Sequence, residues 1–264
     1  MINLGHYATK RANITMRVIK YIGLIILTII LAACNSVSDP SEQFKGQSAA
    51  QIYYGGERAL AQGKYSSAVQ HFEGLDALYP FSDYAEQAQL DIIYAYYQSG
   101  DPASAAAAAE RYTHLYPRDP HVDYAYYMKG VADFVQDRGW EQKYFPTPES
   151  QLDPGTARKS FNDFNTLVTL FPDSVYAPDA RQHMVYLRNI FAEYELNVAH
   201  FYLQRRAYVA AINRANYILQ NYQGTPSVAG AMQVLVQSYS ALGLVDKQRQ
   251  AQQILQYNYP NVAA

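Results

Sequence analysis

Cysteine and tryptophan are nearly absent: among 264 residues there is one of each, Cys34 and Trp140. A lone thiol cannot form an internal disulfide, so packing and hydrogen bonds must hold the fold. Valine and isoleucine runs with period two are scarce, which argues against a sheet domain. No apolar run reaches the roughly 20 residues that a membrane-crossing helix requires. Signatures of catalysis are missing too. There is no His-Glu-x-x-His and no Gly-x-Ser-x-Gly, and Gly63-Lys64 closes a stretch whose glycine spacing is wrong for a phosphate loop. His71, His114, His121, His183 and His200 form no i, i+4 pair of the kind that ligates metal on a helix. Glu193 and Glu195, two apart, leave a helix on different sides. Glu141 and Glu149 lie in an irregular, proline-rich stretch with no other feature of a glycosidase pair around them. No enzyme activity, metal or cofactor is therefore expected. Basic residues are also few. Loss of residues 1–33 would remove Lys10, Arg11, Arg17 and Lys20 with no acid, taking the formal charge from -2 to -6. Such a chain is a poor partner for nucleic acid, which calls for clustered Lys and Arg.

The first feature present is an address. Arg17 and Lys20 precede an apolar core, Gly23 to Ile30, and the run from Tyr21 stops at Ala32-Ala33 before Cys34. A basic start, a core of about 7 to 15 apolar residues and small residues at the cut describe an export signal. Met16 suits the initiator of such a signal, leaving 1–15 as an upstream extension. Leu31-Ala32-Ala33-Cys34 resembles the bacterial lipobox, in which the cysteine thiol receives a diacylglycerol and becomes the new N-terminus. The covalent lipid on Cys34 is the only prosthetic group expected. At about 0.8 kcal/mol per buried methylene, more than one acyl chain holds a protein at a membrane durably. Asn35, rather than Asp, follows the cysteine, which in this sorting pattern implies the periplasmic face of the outer membrane. Residues 34–48 then read as the lipidated cysteine and a flexible tether, and 49–264 as the folded domain.

That domain is periodic. Tyr79-Pro80, Tyr116-Pro117, Phe171-Pro172, Tyr222-Gln223 and Tyr259-Pro260 close successive units, and Gly63, Gly100, Gly155, Arg206 and Gly243 stand seventeen residues before the closing positions. Glycine ends helices in the left-handed conformation without steric cost, so each unit reads as helix, tight turn, helix. Ala68, Ala105, Ser160 and Ala211 follow the turn position by five residues, and Phe72, Ala109, Phe164 and Ala215 by nine, with Lys247 and Ala251 in the same stretch of the last unit. Such pairs share one helical face. The expected fold is all-α: a solenoid of about five helical hairpins, 49–80, 83–117, 121–172, 175–223 and 226–260, similar to tetratricopeptide repeats. Gly56, Ala68, Phe72 and Pro80 occupy that repeat's small, small, aromatic and proline positions.

Two units are long. The third carries a loop at 137–154 with Trp140, Tyr144 and Phe145, too rich in proline for a helix. In the fourth, Met184, Leu187, Ile190, Phe191 and Tyr194 recur at helical spacing, predicting one helix to about Arg205, roughly 40 Å long. Arg205-Arg206 replaces the turn glycine there, so a different junction or a partner contact is expected. Tyr94, Tyr96, Tyr97, Tyr124, Tyr126 and Tyr127 cluster on the first helices of units two and three, the concave side of such an array. Most should pack between helices, the rest serving an amphipathic groove for an extended peptide.

The chain also resembles one family throughout. A lipobox followed by Tyr53-Tyr54-Gly55-Gly56-Glu57-Arg58-Ala59, then Tyr79-Pro80-Phe81-Ser82, Ala85-Glu86-Gln87-Ala88-Gln89-Leu90, Arg158 to Phe164 and Ala207 to Arg214, is similar to the BamD family of the β-barrel assembly machinery. The resemblance runs from 34 to 260. It implies an outer-membrane-anchored scaffold that binds the barrel-forming subunit through its C-terminal repeats, and accessory lipoproteins and unfolded outer-membrane proteins through its N-terminal ones. On that likeness Arg205, Arg206 and Tyr208 are expected to meet the barrel subunit, and Tyr53, Tyr54, Arg58 and Tyr65 the clients. Arg206 departs from the family, in which glycine is common at this place. Rival readings are a secretin pilotin, a cell-wall synthesis coordinator, or a wall hydrolase using Glu141 or Glu149.

Overall fold

A computed structural model describes residues 41–136 and 154–262. The signal segment, Cys34, residues 35–40 of the tether, and loop residues 137–153 with Trp140, Tyr144, Phe145, Glu141 and Glu149 lie outside the described residues. The chain divides into two compact units, one ending at Gly46 and one beginning at Gln47. Within the first, Glu42–Phe44 forms a single 3-10 turn in which the Phe44 N–H donates to the Ser41 carbonyl at 3.0 Å. The end of the supposed tether therefore carries local structure.

The second unit contains ten α-helices and no strand among its described residues: α1 Ala49–Ala61, α2 Tyr65–Leu78, α3 Ala85–Gln98, α4 Pro102–Leu115, α5 Val122–Gln136, α6 Gly155–Leu170, α7 Ala177–Gln204, α8 Tyr208–Asn221, α9 Ser227–Ala241 and α10 Val245–Asn258. They pair in order as five hairpins. Ser48 starts α1 with a capping box: its Oγ accepts from the Gln51 N–H at 3.3 Å while its own N–H donates to Gln51 Oε1 at 2.8 Å. Asp101 caps α4 by accepting from the Ser104 N–H, with Pro102 in the first turn where its missing N–H is harmless.

Four of the five hairpin turns share one backbone geometry. At the first, the Gly63 N–H reaches the Leu60 carbonyl and the Lys64 N–H the Ala59 carbonyl, both at 2.9 Å, which is the Schellman closure of a helix. Gly100 and Gly243 repeat it, all three with positive φ. Arg206 does the same with φ 59°, its N–H on Leu203 and that of Ala207 on Tyr202. The expectation of a different junction at Arg205-Arg206 is thus corrected: the bonding pattern and the two flanking helices impose the turn, and arginine accepts the strain. A left-handed L-residue costs about 1 kcal/mol that glycine does not. Arg206→Gly is accordingly expected to raise stability by about 0.5–1 kcal/mol, read as a higher urea midpoint with an unchanged slope. The exception is Gly155. It opens α6 behind Pro154 and is not among the glycines of positive φ, because the long third-unit connection removes the need for a tight reversal.

Small residues set how closely each pair approaches. A side chain at Gly56 would lie 2.5 Å from the Phe72 ring, and one at Gly130 would lie 2.7 Å from Phe164. Ser160 completes the second contact by donating to the Gly130 carbonyl at 2.9 Å. Ala68, Ala105, Ala109, Ala211 and Ala215 are fully buried, as are Phe72 and Phe164. Beyond each hairpin, first helices meet first helices: α3 touches α5, α5 touches α7, and α7 touches α9. The 28-residue α7 matches the predicted long helix. It contacts α5, α6, α8 and α9 and runs through a core that extends from Phe164 to Leu255.

Candidate functional site

The face formed by α1, α3 and α5 is built from tyrosine. Tyr53 stacks on Tyr84 with ring centres 5.2 Å apart, and Tyr54 meets both rings edge-on at 5.4 and 5.8 Å. Tyr65, at the start of α2, meets Tyr94 of α3 edge-on at 6.2 Å. Farther along, Tyr127 stacks on Tyr176 at 4.8 Å and donates to Asp179 at 2.7 Å, while Tyr124 lies 5.6 Å from Tyr176. Between these groups is a cleft of about 280 Å³ lined by Asp91, Tyr94, Tyr124 and Tyr176, with Leu60, Leu90 and His121. Tyr54 stays half exposed, leaving an aromatic face available to a partner.

One carboxylate belongs to this cleft. Asp91 accepts from the Tyr53 hydroxyl at 3.2 Å and from Gln87 Nε2 at 2.8 Å. Burial raises its carboxyl to about 6; the bonds from Gln87 and Tyr53 oppose that rise, and Glu57 adds to it. Burial likewise pushes the Tyr53 hydroxyl upward, so it remains a donor.

The expected site residues thus fall into distinct places. Tyr53 and Tyr54 join one cluster, Tyr65 joins the cleft through Tyr94, and Arg58 stands exposed on α1, one turn after Tyr54. The six clustered tyrosines divide. Tyr94, Tyr124 and Tyr127 take part in the cleft and its continuation, whereas Tyr96 donates to Glu73 at 2.5 Å beside the Asp76–Arg111 ion pair of a groove between α2 and α4. Tyr97, like the ring of Tyr96, packs against the cluster of Ala105, Ala106 and Ala132, and Tyr126 lies against Phe171. Helical spacing fixes these faces but does not say which neighbour each one meets.

Sequence reasoning missed Tyr84, Asp91, His121 and Tyr176. Three of them carried a signal. Tyr84, His121 and Tyr176 each stand four residues after a closing proline, Pro80, Pro117 and Pro172, one residue before the apolar residue that seats the next first helix. This shared place delivers them to the same side of successive hairpins. Asp91 has no such signature, since its role comes from burial by other helices.

Arg205, Arg206 and Tyr208 form a second, separate surface at the α7–α8 turn. Both arginines are exposed, and the Arg205 guanidinium lies 4.4 Å from the centre of the Phe201 ring. Phe201 and Val209 are exposed beside them, giving a basic surface with apolar flanks. Among the described residues no helix is long and apolar enough to cross a membrane, and no group of His, Cys, Asp and Glu is arranged to hold a metal.

Comparison with known proteins places this architecture. The profile of the YfiO family, described as outer membrane lipoprotein, matches residues 45–254. Outer membrane protein assembly factor BamD of Vibrio cholerae serotype O1 is 36% identical over 89% of this chain and 96% of its own length. The protein of the same name from Neisseria meningitidis serogroup A is 34% identical over 89% of this chain and 90% of its own. The chain also aligns with the crystal structure of a tetratricopeptide repeat protein from Parabacteroides merdae, with a TM-score of 0.36 and 13% identity over 82% of this chain and 68% of that one. The five hairpins and the match along nearly the whole length lead to one conclusion: the chain belongs to the BamD, or YfiO, family of outer membrane lipoproteins.

Proposed function

We propose that this protein is a scaffold for assembly of outer-membrane proteins, held at the periplasmic face of the outer membrane by lipid on Cys34. The observation that carries this reading is the end-to-end match to named assembly factors, joined to a fold of stacked hairpins with two separate exposed surfaces. Stacked repeats present extended surfaces suited to peptides and partner domains. The tyrosine face of α1, α3 and α5 receives unfolded outer-membrane proteins as extended segments, with Tyr53, Tyr54, Arg58 and Tyr65 at its N-terminal end. The α7–α8 turn, with Arg205, Arg206 and Tyr208, docks the barrel-forming subunit, and accessory lipoproteins bind the N-terminal repeats. The protein acts by holding its partners rather than by chemistry.

Charge reversal tests the docking turn. In detergent extracts, Arg205→Glu with Arg206→Glu is expected to reduce co-purification of the barrel-forming subunit by about tenfold or more, with helix content unchanged by circular dichroism. Undiminished capture would remove the turn from the interface. If the wild-type protein instead captures a secretin or a peptidoglycan enzyme, the pilotin or wall-coordinator reading takes over.

A further inference from the structure

The cleft of α1, α3 and α5 has a composition that an apolar peptide does not require. Three tyrosine rings, Tyr94, Tyr124 and Tyr176, share it with the Asp91 carboxylate. Glu57, one turn after Tyr53 on α1, is close enough to act on Asp91 electrostatically and by hydrogen bonding. Among the described residues no lysine or arginine forms an ion pair with either acid, although lysines and arginines elsewhere pair with Asp76, Asp133, Asp163 and Glu195. One carboxylate beside aromatic faces, partly removed from water, with Glu57 near it and no paired lysine or arginine among the described residues, forms an electron-rich pocket that a positive group would complete. Tyrosine faces attract ammonium and guanidinium through the ring quadrupole. A carboxylate in the same pocket attracts them more strongly than it would in water.

We propose that this cleft is a specificity pocket for one lysine or arginine side chain of a bound, extended polypeptide. At about 280 Å³ it falls below the usual range for drug-sized ligands, roughly 300–1,000 Å³, and suits a single long side chain. The aliphatic stem lies along Leu60 and Leu90, and the charged end meets Asp91 and the rings. Asp91 keeps lone pairs for this, since Tyr53 and Gln87 each use one oxygen. The inference rests on the reading of this face as a polypeptide groove, and deepens it by naming what the groove selects.

Charge state supplies a check. Around Asp91 stand Glu57 and Tyr53 from α1, Gln87 and Tyr94 from α3, His121 and Tyr124 at and within the start of α5, and Tyr176 before α7. Asp91, raised to about 6, is ionised above that pH and neutral below it. Its neutralisation weakens cation binding on acidification.

The test uses the full-length protein in detergent and two fluorescein-labelled octapeptides of alternating apolar residues, identical except for lysine or norleucine at one central position. At pH 7.5 the lysine peptide is expected to bind about tenfold more tightly. The ratio should fall to within about twofold at pH 5, and also in Asp91→Asn at pH 7.5. Tyr124→Phe, which keeps the ring, should preserve it. Equal binding of both peptides to the wild type at pH 7.5 would overturn the cation pocket while leaving the groove in place. Binding of neither would overturn the groove, and the pocket with it. The pH comparison on the wild type does not depend on any variant folding.

Discussion

Phe164→Ala is expected to lower the free energy of unfolding by about 3–5 kcal/mol. The ring is fully buried, lies against the backbone of Gly130 and stacks on His183 with centres 4.9 Å apart. Truncation therefore opens a void where α5, α6 and α7 converge, and the glycine offers no atoms to fill it. A urea titration followed by circular dichroism measures the loss. A fall below about 1 kcal/mol would mean that the helices close over the gap, and that the glycine contact does not set their spacing. The converse change is diagnostic as well. Gly130→Ala places a methyl group against the ring and should destabilise alone, but less so combined with Phe164→Leu, a coupling that a double-mutant cycle resolves.

The second large effect depends on pH. Asp133 is fully buried on α5, where Lys159 reaches its Oδ1 at 3.0 Å; Asp163 on α6 meets Lys129 at 3.2 Å, which also faces Glu110 at 3.5 Å. The Oδ2 atoms of both aspartates are buried with no donor. Burial, followed by the neighbouring Asp133 carboxyl, raises the Asp163 carboxyl to about 7 despite Lys129. A folded value above the unfolded one, 3.8, means that the native state holds its proton more tightly. The resulting stability is complete below about pH 4 and is lost as pH rises through 7. Asp163→Asn cannot ionise. Its stability should gain on the wild type by a few kcal/mol between pH 5 and pH 8, seen as a flatter profile of urea midpoints. Parallel profiles would show that the native state does not hold a proton on Asp163 in this range.

Much of the fold was legible because its rules are local. Gly63, Gly100 and Gly243 occupy positions where a left-handed residue must end a helix, so a fixed count from the closing proline finds them. The same count misled at Gly155, since a long connection intervenes and the backbone has other ways to turn. Arg206 shows the reverse case: the geometry persists without its usual residue because two backbone bonds and the flanking helices enforce it. The family resemblance on Tyr53 to Ala59 and on the later blocks agrees with the profile match over 45–254.

The candidate site was only half legible. Periodicity put Tyr53, Tyr54, Tyr94, Tyr124 and Tyr127 on first helices. It could not tell Tyr94, which lines the cleft, from Tyr96, which turns to Glu73. Asp91 was invisible for a physical reason. A carboxylate on a helix looks like a solvated face until α1 and the tyrosines remove its water, and that depends on residues more than thirty positions away.

One helix imposes a mechanical hierarchy on the chain. Because α7 touches partners in the third, fourth and fifth hairpins, none of these can open without loosening a splint common to all three. The C-terminal part should therefore melt as one cooperative block. Among the described residues the first hairpin has no such brace, so it can open alone while the C-terminal block stays closed.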